Sequence, residues 1–400
     1  MSVWLTVIGV GEDGIEALPR ALQALIERAE LIVGGERHLA MVPLAHAEKK
    51  SWASPLSLTL DEIWSRRGKP VVVLATGDPM HFGIGVALVK RVPAEEMAVY
   101  PHISAFSLAA ARMLWPLADT ECLTIHGRPL DLLAGAVAPG RRLLVLSHDG
   151  TSPAEVARRL TELGYGASEV TVLEHMGGTR ERIYFGQADS WAHPRAADLN
   201  TLAVLCLATE AARPVTLGAG LLDDAFQHDG QLTKREVRAA TLSALRPLPG
   251  QLLWDVGAGC GSIAIEWLRT DRSLNAIAIE PDPERRRLIA QNAAALGVPH
   301  LRIVEGPAPQ VYRDLPAPDA VFIGGGLTDE NVMEHAWERL KKGGRLVANA
   351  VTAEGEAKLL KWHSWMGGEM SRIAVLHLAP LGTFHAWRPA LPVTQYSVDR

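Results

Sequence analysis

Short apolar runs alternate with amphipathic stretches along the whole chain. In the first half, Trp4–Ile8, Leu31–Val33, Val71–Ala75, Leu143–Leu146, Val170–Leu173 and Leu202–Leu207 read as buried strands. Helical patterns lie between them at Ile15–Arg28, Ala105–Leu114 and Pro153–Leu163. Runs of Val, Ile and Leu that are apolar at every position mark strands covered on both faces, so the pattern predicts parallel sheets flanked by helices, an α/β fold. Over 211–231 the periodicity fades and turn formers accumulate. A second series then begins with helix Lys234–Leu245, strand Leu252–Val256, helix Ser262–Leu268, strand Asn275–Glu280 and helix Asp282–Leu296. Strands Leu301–Val304 and Ala320–Ile323, helix Glu330–Leu340, strand Arg345–Val351 and helix Glu354–Trp365 continue it. Two closing strands are expected near Arg372–Leu378 and Thr383–Arg388. The chain therefore divides into 1–210, a linker 211–231, and 232–400.

Composition narrows the class without changing this picture. At 48% hydrophobic and 21% charged residues, 400 residues are enough for two ordinary globular domains. No run of about 18 uncharged apolar residues is present, and the start MSVWLTVIGVGEDG lacks a basic region and a cleavage site, which suits the cytoplasm. Cys122, Cys206 and Cys260 lack metal-ligand or redox spacing and read as small apolar residues. The net charge of −5 argues against a non-specific nucleic-acid binder. An anionic small substrate stays possible where basic residues cluster, as at Lys234, Arg235 and Arg238, although most such clusters are solvated helix faces.

Two glycine turns carry the candidate chemistry. The later one, WDVGAGCG, sets Gly257, Gly259 and Gly261 between a buried strand and a helix, where a Cβ would block a ligand lying on the backbone. Asp255 precedes the glycines. A carboxylate there repels a pyrophosphate but attracts the sulfonium and ammonium of S-adenosylmethionine (SAM). Glu280 ends the next strand, where an acid accepts ribose hydroxyls of either kind of nucleotide. Gly306 and Ala308 follow the third strand at the expected adenine contact, and Gly324 ends the fourth, keeping the methyl site open.

These strand ends resemble those of the class I SAM-dependent methyltransferases. The fourth strand ends in IGGG rather than the Asn/Asp-Pro-Pro-Tyr/Phe tetrad of nucleic-acid methylases, which favours a carbon acceptor.

The earlier turn, IGVGEDG, places Glu12 and Asp13 where dinucleotide phosphates would lie, which argues against NAD or FAD. With ATGDPMHFGIG, HISAFSLAAARM, TIHGRP and VTVLEHMGGTRERIYFG it resembles the tetrapyrrole methylases, a separate class of SAM enzymes built from two α/β lobes. GVGEDG and Thr76 depart from that family's Gly-x-Gly-Pro-Gly and Gly-Gly-Asp-Pro. The resemblance implies SAM between the lobes, against Gly9 and Gly11, against Thr76, Gly77 and Asp78, and against Ile103, Ser104, Ala105 and Phe106. His102, His126 and His175 lie on separate elements without ligand spacing, so no metal is expected.

A tetrapyrrole-methylase half followed by a class I half resembles the bifunctional C-methyltransferases of cobalamin biosynthesis. The resemblance implies two SAM sites per chain and an anionic tetrapyrrole substrate. C-5 methylation falls to the first half, and C-15 methylation with loss of the ring C acetate carboxyl to the second. Metal-free and cobalt-containing substrates both remain open, and a homo-oligomer is expected by analogy. Lys234, Arg235, Arg238 and Asn349 are candidates to line the substrate cleft. Thr233 is placed at the donor site and also reads as a helix N-cap with Glu236 as its capping-box partner.

Overall fold

The computed structural model describes residues 3–43 and 46–400. It separates into two compact units. One runs to Leu130 and resumes over Val137–Arg213; the other comprises Asp131–Ala136 and Pro214–Arg400.

The first unit holds two five-stranded sheets. Strands β1 (Leu5–Val10), β2 (Leu31–Gly34), β3 (Glu48–Ser51), β4 (Val71–Thr76) and β5 (Met97–Tyr100) form an all-parallel sheet in the order β3-β2-β4-β1-β5. Every residue of β1 is buried, as a central strand covered on both faces requires. The second sheet takes β6 (Glu121–Thr124), β7 (Arg142–Leu146), β8 (Glu169–Glu174), β9 (Arg182–Gln187) and β10 (Asn200–Leu205) in the order β6-β7-β10-β8-β9. Only its β6/β7 pair is parallel, so the expectation of parallel sheets fails in this lobe. The helix expected over Ile15–Arg28 is also broken. A 3-10 turn covers Ile15–Ala17 and an α-helix covers Arg20–Glu27, because Pro19 lacks an amide proton and starts a helix more readily than it continues one.

The second unit is built on a seven-stranded sheet. Its members are β11 (Leu252–Val256), β12 (Asn275–Glu280), β13 (Arg302–Glu305), β14 (Ala320–Ile323), β15 (Arg345–Ala350), β16 (Glu369–Ile373) and β19 (Val393–Asp399). Strands β17 (Leu376–Leu381) and β18 (Phe384–Pro389) form a separate two-stranded ribbon. The order β13-β12-β11-β14-β15-β19-β16 keeps β11 to β15 parallel and inserts β19 antiparallel between β15 and β16. The chain therefore closes with four strands where two were expected. Two apolar layers cover the sheet, one around Trp267, Ile289 and Phe322, the other around Trp254, Tyr312 and Trp362. Helix Leu132–Ala136 belongs to this unit and packs on helix Pro283–Ala295; a Cβ on Gly135 would stand 3.2 Å from the Gly297 carbonyl oxygen. Cys206 and Cys260 are buried, and burial pushes both thiols up to about 11, whereas Cys122 is half-buried.

Candidate functional site

In the second unit the parallel strands β11, β12 and β14 end side by side beneath a pocket of about 780 Å³. That is within the roughly 300–1,000 Å³ of small-molecule sites. The three glycines of the turn have φ of +67°, +59° and +81°, a region closed to most side chains. Gly257 and Gly259 line the pocket, while Gly261 does not. A Cβ on Gly257 would lie 2.5 Å from Gly325 Cα, and one on Gly261 would lie 2.9 Å from Ile289 Cγ2. Gly261 is thus a packing glycine that seats helix Ser262–Thr270 against its neighbour.

Asp255 is 1% exposed and reaches the pocket wall. Its Oδ2 accepts the Ala264 amide at 3.0 Å, and its Oδ1 is buried with no partner. Burial pushes its carboxyl up to about 7, against the Ala264 hydrogen bond and with a further upward push from the Glu280 charge. Glu280, at the end of β12, is 3% exposed and accepts the amides of Gly259 at 2.8 Å and Asp282 at 3.1 Å. Each carboxylate oxygen keeps a lone pair for a hydroxyl donor. An orphaned acceptor, a second acid one strand away and a floor without Cβ atoms fit an adenosyl ligand that carries positive charge. Ala308 and Gly324 also line this pocket, as does Thr233, whereas Gly306 lies outside the wall.

Three cation and cap expectations need correction. Arg238 does not face the cleft: it is fully buried, its Nε donating to Glu266 at 2.5 Å and its Nη1 to Asp223 at 3.2 Å and the Thr233 carbonyl at 2.5 Å. Its Nη2 donates to the Leu221 carbonyl, and its guanidinium lies 4.7 Å from the Phe226 ring centroid. Arg235 points away from the pocket wall and pairs with Glu236 at 2.7 Å. Thr233 is not the N-cap; the helix spans Arg235–Leu245 with Lys234 at the cap, because the buried Arg238 guanidinium takes the Thr233 carbonyl. Lys234 and Asn349 do line the pocket. Arg285 joins them, paired with Asp229 at 2.9 Å.

In the first unit Gly11, Thr76, Gly77, Ile103 and Ala105 border a cleft between the lobes. Gly9 stands behind it: a Cβ there would strike the Gly77 carbonyl oxygen and lie 2.6 Å from the His102 amide. Asp78 accepts the Met80 amide at 2.8 Å, Ser104 caps helix Ala105–Met113 through the Ser107 amide, and Phe106 is buried in the core. None of these four lines the cleft.

Glu12 does line it, but not as a free charge. Its side chain, 8% exposed, pairs with Arg37, with His175 Nδ1 at 2.9 Å and with Arg180 at 3.7 Å. Burial alone would raise its pKa; the His175 hydrogen bond and the Arg37 charge outweigh this and hold it below the carboxylate range. Burial, with Arg37 beside it, pushes His38 down to about 4, so this imidazole stays neutral and can accept from Arg37 Nη2 at 2.8 Å. Sequence reasoning missed Arg37, because nothing in the turn announces a partner 25 residues away. The cleft measures about 40 Å³, less than the roughly 300 Å³ at which small-molecule sites begin.

Comparison with known proteins follows the same division. The family model described as Tetrapyrrole (Corrin/Porphyrin) Methylases matches residues 4–192, and the one described as Precorrin methyltransferase domain matches 224–400. A Sinorhizobium protein named Precorrin-6Y C(5,15)-methyltransferase [decarboxylating] is 49% identical over 398 residues, covering 99% of this chain and 96% of its own. A Mycobacterium tuberculosis protein of the same name is 41% identical over 401 residues, covering 99% of this chain and 100% of its own. The solved C-terminal domain of precorrin-6Y C5,15-methyltransferase from Rhodobacter capsulatus is 43% identical, covering 46% of this chain and 100% of its own, with a TM-score of 0.44. Among the described residues, no helix is long and apolar enough to cross a membrane.

Proposed function

Because the chain belongs to the precorrin-6Y C(5,15)-methyltransferase (decarboxylating) family, we propose that it methylates C-5 and C-15 of precorrin-6B and removes the ring C acetate carboxyl. The observation that carries this reading is the second unit's pocket, with Asp255 and Glu280 at adjacent strand ends over a glycine floor. SAM supplies an electrophilic methyl group there. Asp255 and Glu280 would hold the cationic, hydroxyl-bearing donor, while the enclosing wall excludes water and aligns the acceptor carbon. Loss of carbon dioxide breaks a carbon–carbon bond whose electrons pass into the conjugated macrocycle, and a proton fills the freed valence.

We assign C-15 methylation and decarboxylation to residues 232–400, and C-5 methylation to 1–210. A second donor site in the first unit is supported by the match to the tetrapyrrole-methylase family model, and it requires the cleft to widen. The metal-free substrate is preferred because both full-length relatives are named for a precorrin. We place the enzyme in the cytoplasm as a homo-oligomer. The ribbon β17/β18 supports self-association: Leu378 and Trp387, paired across it, are 56% and 66% exposed, and two strands alone are marginal in water. The uncharged character of that pair suits a second copy.

Incubation with precorrin-6B and SAM, followed by mass measurement, tests the function. Two methyl groups gained and one carbon dioxide lost is the expected result; an unchanged mass refutes it. Titration with SAM reads the stoichiometry: two per chain supports the second donor site, and one per chain removes it.

A further inference from the structure

Thr241 is fully buried in helix Arg235–Leu245, and its hydroxyl donates to the Val237 carbonyl at 2.8 Å. That bond spends its only proton, so toward every other neighbour Thr241 Oγ1 can only accept. Two amides meet it: Asn349 Nδ2 donates at 2.9 Å and Gln395 Nε2 at 3.1 Å. Gln395 Nε2 also donates to Asn349 Oδ1 at 3.0 Å. The sense of both amides is therefore fixed, since turning either one would set a carbonyl oxygen against a hydroxyl with no proton to give.

The three residues come from distant parts of the chain. Asn349 and Gln395 are opposite each other in the antiparallel β15/β19 ladder, and Thr241 reaches them from the covering helix. Gln395 is 6% exposed, whereas Asn349 is half-buried and lines the pocket. Counting its bonds, Asn349 Nδ2 has given one of its two protons to Thr241. The second N–H remains for the pocket.

β14 separates β15 from β11, so at about 4.8 Å per strand Asn349 lies about 10 Å across the sheet from the Asp255 column. The pocket wall also carries Lys234, whose Nζ is paired with Asp223 at 3.6 Å, His377 and the apolar Val351, Val375 and Leu391. A fixed N–H donor and a lysine among aliphatic side chains suit a carboxylate hanging from a flat apolar ring. We propose that Asn349 binds a carboxylate of the tetrapyrrole, and that Thr241 and Gln395 are positioning residues that lock its amide in the donating sense. This assignment rests on the function proposed above. A network that only sealed the helix onto the sheet would not need one member open to the pocket.

Steady-state kinetics of C-15 methylation by the full chain, with SAM affinity measured separately, test it. Thr241→Val should raise KM for the tetrapyrrole about tenfold to a hundredfold, the range for a lost hydrogen bond to a charged group, while SAM affinity changes less than about twofold. Thr241→Ser keeps the acceptor and should restore KM. Asn349→Leu should raise KM at least as far, and adding Thr241→Val to it should cost little more, because both changes remove the same contact. Should Thr241→Val fail to fold, Asn349→Leu, whose side chain already opens to the pocket, carries the test. An active wild type whose two variants keep KM within about twofold, or lose SAM and tetrapyrrole affinity equally, overturns the assignment alone. A wild type that does not turn over the tetrapyrrole overturns the proposed function and the assignment together.

Discussion

Replacing Arg238 by Met keeps most of the aliphatic stem and deletes a guanidinium that is wholly enclosed. Glu266, 3% exposed, would keep its bonds from the amides of Gly220 at 2.6 Å and Leu221 at 3.0 Å but lose its counter-charge. The carbonyls of Leu221 and Thr233 would each lose a donor. Removing one partner of a buried ion pair costs about 3–5 kcal/mol, because the remaining charge stays out of water. For a unit of this size 1 kcal/mol moves Tm by about 2–4 °C, so the second unit's transition should fall by about 6–20 °C. Thr233, released by Arg238, belongs to the pocket wall, so SAM affinity should weaken in the folded fraction as well. Calorimetry of Arg238→Met, Glu266→Gln and the double variant reads the interaction directly. The double variant should be more stable than Arg238→Met alone, since it leaves no unpaired buried charge. A Tm drop below about 2 °C, or losses that simply add, would refute the reasoning.

Three other outcomes are expected. Asp255, pushed up to about 7 by burial, should lose a proton when a cationic donor binds; SAM affinity should then rise with pH between about 6 and 8, by at most about tenfold per unit, and calorimetry in two buffers should count the proton released. The same raised pKa makes the unliganded fold bind the extra proton, so its Asp255-dependent stability falls as pH climbs from 3.8 toward 7, and Asp255→Asn should flatten that slope. Trp387→Glu, with a charge placed on the exposed ribbon face, should reduce the mass seen by light scattering; an unchanged mass removes the ribbon from the interface.

The sequence was most readable where a local pattern determines the structure. Gly257, Gly259 and Gly261 announce a turn because each needs a backbone conformation that other residues avoid, and the runs Leu252–Val256 and Asn275–Glu280 became strands with the bounds expected. Legibility failed where long-range partners decide. β19 reads VTQYSVD, with too many polar residues for an interior strand, yet six of its seven residues are buried because Thr394 and Gln395 find partners elsewhere in the fold. Arg238 looked like a surface cation on a helix until Glu266, 28 residues away, enclosed it. Glu12 looked like a free acid until Arg37 neutralised it. In each case composition gave the charge, and only the fold gave its counter-ion.

Helix Leu132–Ala136 is coded in the first half of the chain but folds as part of the second unit. Cutting the backbone between Arg213 and Pro214 would therefore divide the peptide without dividing the folded units. A nicked molecule should migrate as one species under native conditions and as two fragments only after denaturation. A half-molecule begun at Pro214 would lack the piece that seats against Gly297 and would expose that surface to solvent.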